Sequence, residues 1–127
     1  MPPSIPVSAA ASPGDAPLLE VRDLRVSFRT EQGTVRAVDG ISFRITAREI
    51  VGVVGESGSG KTLSLLSVVG LIQDPNVEIA GSIVYKGREL VGLSARELRA
   101  VRGAEIAMIF LDPMTALTSV YTVGWQI

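Results

Sequence analysis

The sequence contains neither cysteine nor histidine. Lack of cysteine rules out disulfides, thiolate metal sites and a cysteine nucleophile, and it suits a reducing compartment. Lack of histidine removes the commonest general base and the commonest metal ligand. Any chemistry must then run through carboxylates, lysine, hydroxyls, backbone amides or a bound metal. Aromatics make up only 5% and the formal charge is −1, so there is no strong basic field to attract nucleic acid and no acidic tail. The longest apolar stretch, "TLSLLSVVGLI", is too short to span a bilayer, and the start of the chain lacks the basic residues and apolar run of a signal peptide.

What is present suits one domain: 127 residues, 46% of them hydrophobic, enough to bury a core. The opening "MPPSIPVSAAASPGDAP", rich in Pro, Ala and Ser and nearly uncharged, reads as a disordered tail over 1–17. From Leu18 the pattern alternates. Leu24, Val26 and Phe28 share one face, "EQGT" reads as a turn, and Ile41, Phe43 and Ile45 continue the apolar face on a second strand. These are expected to be antiparallel strands with one wet face.

The run "EIVGVVG" is apolar throughout except for Gly52, the pattern of a strand buried on both faces. A glycine-rich turn follows, and then "KTLSLLSVVGLIQ", which reads as a helix ended by Asp74-Pro75. Further on, a short strand is expected at Ile83 to Tyr85, with a turn at Lys86-Gly87. "SARELRAVRG" reads as a short helix, capped by Ser94 with Glu97 completing a capping box and Gly103 as the stop. "EIAMIF" reads as a second buried strand parallel to the first. The architecture expected is α/β: a core of parallel strands with helices, beside an N-terminal antiparallel flank.

The turn after the first buried strand, "GESGSGKT", matches G-x-x-x-x-G-K-[ST] without a mismatch from Gly55 to Thr62. Strand, glycine loop and helix is the context in which that match marks a P-loop. Its glycines let backbone N–H groups turn inward around phosphates, and a helix N-terminus adds a favourable dipole. On this reading Gly55, Glu56, Ser57, Gly58, Ser59 and Gly60 form the cradle. Lys61 reaches the β- and γ-phosphates, and the Thr62 hydroxyl meets Mg²⁺. The pattern implies nucleotide binding but does not choose among kinases, GTPases and transport ATPases.

Taken together, "VRAVDGISF", "GESGSGKT" and "MIFLDPMTALTSVYTVGWQI" resemble the ATP-binding subunit of ABC transporters, in the oligopeptide and dipeptide importer branch. The resemblance runs from Leu18 to Ile127 and would make 18–127 the N-terminal part of an incomplete nucleotide-binding domain on a P-loop NTPase core. That branch has Phe-Gln-Asp-Pro-Met-Thr, then Leu-Asn-Pro and Thr-Val-Gly. This chain keeps Phe110, Asp112, Pro113, Met114, Thr115 and Leu117, with "TVG" at Thr122 to Gly124. The resemblance implies ATP and Mg²⁺ as ligands, permease subunits and a second ATP-binding subunit as partners, and a peripheral place on the cytoplasmic face of the membrane. It also implies an aromatic that stacks on adenine. Phe28 is the candidate, although its alternation with Leu24 and Val26 equally marks it as strand core.

Two departures matter. Where the family has a glutamine that meets Mg²⁺ or the attacking water, this chain has Leu111, which has neither a donor nor an acceptor in its side chain. The family's signature motif, catalytic glutamate and switch histidine are not in these residues. The resemblance therefore implies an ATP-binding chain that hydrolyses little by itself. A non-hydrolysing Mg-ATP-binding module and an inert remnant are the alternatives.

Overall fold

Alternating apolar and polar residues over 18–45 build the first hairpin. The computed structural model describes residues 16–72, 74–111, 120 and 122–126. In it β1 (Leu19–Thr30) and β2 (Gly33–Ile45) pair antiparallel around a turn at Glu31 and Gln32. The turn is fastened by the Thr30 hydroxyl, which donates to the Gly33 carbonyl at 2.7 Å. The expected faces hold: Leu24 and Val26 are buried, Phe28 and Phe43 are half-buried against them, and Arg25, Arg29, Arg36 and Arg44 face solvent.

After the helix α1 (Lys61–Val68) the chain returns as β3 (Val77–Tyr85), antiparallel to β1 on the side away from β2. This strand is longer than the Ile83–Tyr85 segment expected, because Val77 and Ile79 also carry the alternation and pack on the core. A turn at Lys86 and Gly87 leads into the short β4 (Arg88–Glu89), and the sheet order is β2-β1-β3-β4. The Glu89 carboxylate ties this corner together. It accepts from the Ile83 N–H at 2.8 Å, the Val91 N–H at 3.0 Å and the Ser82 hydroxyl. Partial burial works against its charge, but these donors outweigh that effect and hold the carboxyl below the ordinary glutamate value.

The core lies on one face of the sheet. Val21, Leu24 and Val26 of β1 meet Val38 of β2, Ile83 and Tyr85 of β3, and Val68 of α1. Leu90 and Val101 close it, the latter from α2 (Ala95–Val101). Each large side chain fully buried in this way is worth about 1.5–3 kcal/mol against exposure to water. The α2 cap is as expected: the Ser94 hydroxyl accepts from the Glu97 N–H, and the Glu97 carboxylate accepts from the Ser94 N–H at 2.9 Å.

Helix α1 stops earlier than the expected break at Asp74-Pro75. Gly70 adopts φ 64° just past it, and Arg102, beyond α2, takes over the helix end. The Arg102 guanidinium donates to the Val69 carbonyl at 2.8 Å and to the Gly70 carbonyl, placing a cation on the negative end of the α1 dipole.

The two parallel strands expected are not formed among the described residues. Residues 46–60 form no strand, and Ile50 is 98% and Val54 80% exposed. Residues 107–110 likewise form none, with Ile109 97% exposed. A strand buried on both faces draws its hydrogen bonds from neighbours on both edges. Among the described residues the sheet is wholly antiparallel and offers these runs none. The one parallel pairing there is the isolated bridge between Arg102 and Ile106. The tail expectation for 1–17 falls almost wholly outside the described residues, as do Asp112, Pro113, Met114, Thr115 and Leu117. Val123–Gln126 forms a short helix, α3. No helix among the described residues is long and apolar enough to cross a membrane.

Candidate functional site

The glycine loop enters from the segment after β2, where Thr46 and Glu49 close a turn. The Thr46 N–H and hydroxyl donate to the Glu49 carboxylate at 2.6 and 2.8 Å. Those two bonds, the backbone one first, hold its carboxyl below the ordinary glutamate value against some burial.

From Gly55 to Gly60 the chain turns back and starts α1. Gly60 has φ 90° and gives the helix no side-chain cap, so the first N–H groups of α1 lack both an intrahelical acceptor and a capping oxygen from that residue. Gly60 also lies hard against β2: a Cβ there would come within 2.6 Å of the Ala37 carbonyl oxygen and 3.2 Å of Val38 Cγ2. This close approach, which only a glycine permits, sets the helix N-terminus beside the sheet. One turn into α1, the buried Ser64 hydroxyl donates to the Gly60 carbonyl at 2.8 Å.

An open cleft of about 530 Å³ lies over this helix start. Ser57, Gly58, Gly60, Lys61 and Thr62 line it, together with Ala37 of β2 and Leu63 of α1. Gly55, Glu56 and Ser59 do not line it but hold its one charged side chain. Lys61 Nζ donates to the carbonyls of Gly55 at 2.6 Å and Glu56 at 2.5 Å, and to Ser59 Oγ at 3.2 Å. The loop is folded round its own lysine.

The remaining candidate stands elsewhere. Phe28 lies on β1 opposite Val35 and Val77, half-buried against the core, and is not among the cleft-lining residues. Leu111 is fully exposed at the end of the unpaired apolar run. Ala37 and Leu63 were not singled out from the sequence. Nothing in the motif points to Ala37, because it reaches the cleft through the hairpin, more than twenty positions before Lys61.

The arrangement fits a phosphate-bearing ligand: a lysine, a threonine and an uncapped helix N-terminus line one cleft. Among the described residues no three metal-binding side chains gather, so a divalent ion there would rest on the Thr62 hydroxyl and on oxygens brought by the ligand. Residues 38–124 match the family model described as ABC transporter, which covers well over half of the chain.

The chain belongs to the ABC transporter family.

Its relatives agree on the branch expected from the motifs. A putative peptide import ATP-binding protein of Brucella abortus is 49% identical over 112 residues, 88% of this chain and 34% of its own length. The oligopeptide transport ATP-binding protein of Mycobacterium tuberculosis is 50% identical over 112 residues, 88% of this chain and 18% of its own. The dipeptide transport ATP-binding protein of Escherichia coli is 49% identical over 110 residues, 87% of this chain and 34% of its own. The chain thus spans about a third or less of the length of these relatives. Family membership implies the P-loop NTPase fold and nucleotide binding.

Proposed function

We propose that the chain binds Mg-ATP in the Gly55–Thr62 cradle as the nucleotide-gripping part of a peptide importer's energy-coupling subunit. The observation that carries this reading is that Lys61, Thr62 and the uncapped N-terminus of α1 line one cleft. Backbone N–H groups of the loop and helix start receive the phosphates, Lys61 neutralises the β- and γ-phosphates, and Thr62 holds Mg²⁺. Phe28 is proposed as the adenine-stacking residue through the part of its ring that the core leaves uncovered, a stack that contributes on the order of 1 kcal/mol. Mg²⁺, when bound, neutralises phosphate charge.

Hydrolysis by these residues is proposed to be slow. Leu111 supplies nothing to a metal or to water, and a positioned base is typically worth about 10²–10⁴-fold in rate. This favours a second reading, a module that holds Mg-ATP without turning it over. The partners proposed are permease subunits and a second ATP-binding subunit, at the cytoplasmic face of the membrane. The names of the relatives, ATP-binding proteins of peptide import or transport, support the transport role from which these partners are drawn. The runs around Ile50 and Ile109 are proposed to become buried strands when parallel neighbours stand beside them.

A fluorescent ATP analogue with Mg²⁺, titrated into the purified chain and into Lys61→Ala, tests the reading. Saturable binding that the variant loses is expected. Equal binding by both proteins, or none by the wild type, overturns it.

A further inference from the structure

Arg22, Arg25, Arg29, Arg36 and Arg88 each lie against a carboxylate at the surface. Arg102 is used differently. It is half-buried, meets no carboxylate among the described residues, and directs its donors to the Val69 and Gly70 carbonyls at the end of α1. Gly70 makes the contact possible: a Cβ there would come within 2.8 Å of Leu98 Cδ1 and 3.1 Å of an Arg102 guanidinium nitrogen. The backbone of Arg102 starts a tight turn. It bridges to Ile106, and the Gly103 N–H donates to the Ile106 carbonyl at 2.8 Å. The Glu105 and Ile106 N–H groups donate to the Val101 carbonyl at 2.9 and 3.0 Å. Tyr85 and Lys86 pin this turn to β3, through the Glu105 carbonyl at 3.3 Å and its carboxylate at 3.1 Å. Past Ile106 begins the largely exposed run to Leu111. One residue thus holds the far end of the helix with its side chain and the root of that run with its backbone.

Through space, Arg102 is too remote to act on a phosphate. The eight residues of α1 span about 12 Å at ~1.5 Å per residue, more than the ~8 Å over which physiological salt screens a charge. Its influence must travel through the helix. We propose that Arg102 is a positioning residue for the phosphate cleft. It ties α1 to the 102–106 turn, so that loosening the turn loosens the helix start, and a ligand seated at the helix start firms the turn. The coupling is reciprocal by necessity, because it is one free energy shared by two sites. The tie rests on the proposed nucleotide site only for the identity of the ligand.

Amide hydrogen exchange, followed residue by residue by NMR, reads the tie without any ligand. In Arg102→Ala the α1 amides of Ser64 and Val69 are expected to exchange severalfold faster, while those of β1 and β3 keep their rates. A fluorescent ATP analogue with Mg²⁺ is expected to bind this variant roughly three- to tenfold more weakly, the scale of losing a cation and its hydrogen bonds at a helix end. Arg102→Lys, which keeps the charge and a donor, is expected to recover most of that loss. In the wild type the analogue is expected to slow exchange at Glu105 and Ile106 relative to β1, and in Arg102→Ala to leave it unchanged. Faster exchange in sheet and helix alike would make Arg102 a general stabiliser and overturns the proposal, as does unchanged exchange in α1. Equal analogue binding by wild type and Arg102→Ala, or binding that leaves the wild-type Glu105 and Ile106 amides untouched, overturns it while the nucleotide reading stands. A wild type that binds no analogue overturns the nucleotide reading, and the exchange pattern then decides the tie alone.

Discussion

Replacing Gly60 by alanine tests whether the approach of α1 to β2 holds the cradle in place. Two costs add at this position. With φ at 90°, an alanine sits in a backbone region that costs an L-residue roughly 1–2 kcal/mol. The new methyl would also stand 2.6 Å from the Ala37 carbonyl oxygen, a backbone atom that cannot rotate away. Relieving that overlap moves α1 from the sheet, a strain of about 1–3 kcal/mol by analogy with overpacked cores. The smaller entropy of an unfolded alanine returns about 0.4–1 kcal/mol. The variant should therefore lose about 2–4 kcal/mol, a fall in Tm of roughly 10–20 °C for a domain of this size. Gly58 provides the comparison, since its φ is 80° and a Cβ there would meet nothing within 4 Å. Gly58→Ala should lose only about 0.5–1 kcal/mol, or roughly 5 °C. Thermal unfolding followed by circular dichroism measures both. Equal falls in Tm would show that the close approach contributes nothing and that backbone conformation alone explains the glycine.

Two further outcomes follow from carboxylates and caps. Glu89→Gln weakens three bonds to an acceptor and should cost on the order of 1 kcal/mol at neutral pH, after allowing for solvent screening. Because the Glu89 carboxyl is held below its unfolded value, its contribution is present above the ordinary glutamate range and is lost as pH falls through the lowered folded value. Urea unfolding at neutral and at acid pH should show the gap between wild type and variant closing on acidification, and a constant gap would contradict this. Ser94→Ala removes the α2 cap and should cost about 1 kcal/mol by the same assay. A loss indistinguishable from zero would mean that the box is only a surface contact.

What could be read from the residues was local. The Ser94–Glu97 box, the turn at Glu31 and Gln32 and the face shared by Leu24 and Val26 each depend on neighbours a few positions away or on simple alternation, and each is present. The start of α1 was equally legible, because the glycine loop dictates it. Its end was not, because the helix is stopped by Gly70 and by Arg102, thirty positions on. The apolar runs at 50–54 and 105–110 were legible as hydrophobic, but the structure does not form them as strands, since strand formation depends on which strands stand beside them. At the site, the motif pointed to the loop and Lys61 but could not show that Lys61 turns inward onto Gly55 and Glu56, or that Ala37 helps line the cleft.

The Arg102 contacts carry a consequence for how the protein assembles. Eight residues are too few for a helix to persist alone in water. Helix α1 holds its shape because Gly60 is wedged against Ala37 at one end and the Arg102 guanidinium sits on its last carbonyls at the other. Arg102 in turn is placed by α2, whose start depends on the Ser94–Glu97 box. The glycine turn at the start of α1 therefore depends on α2 for its support. A chain caught with α2 unwound would carry the full glycine motif while the helix behind it had lost one of its two supports.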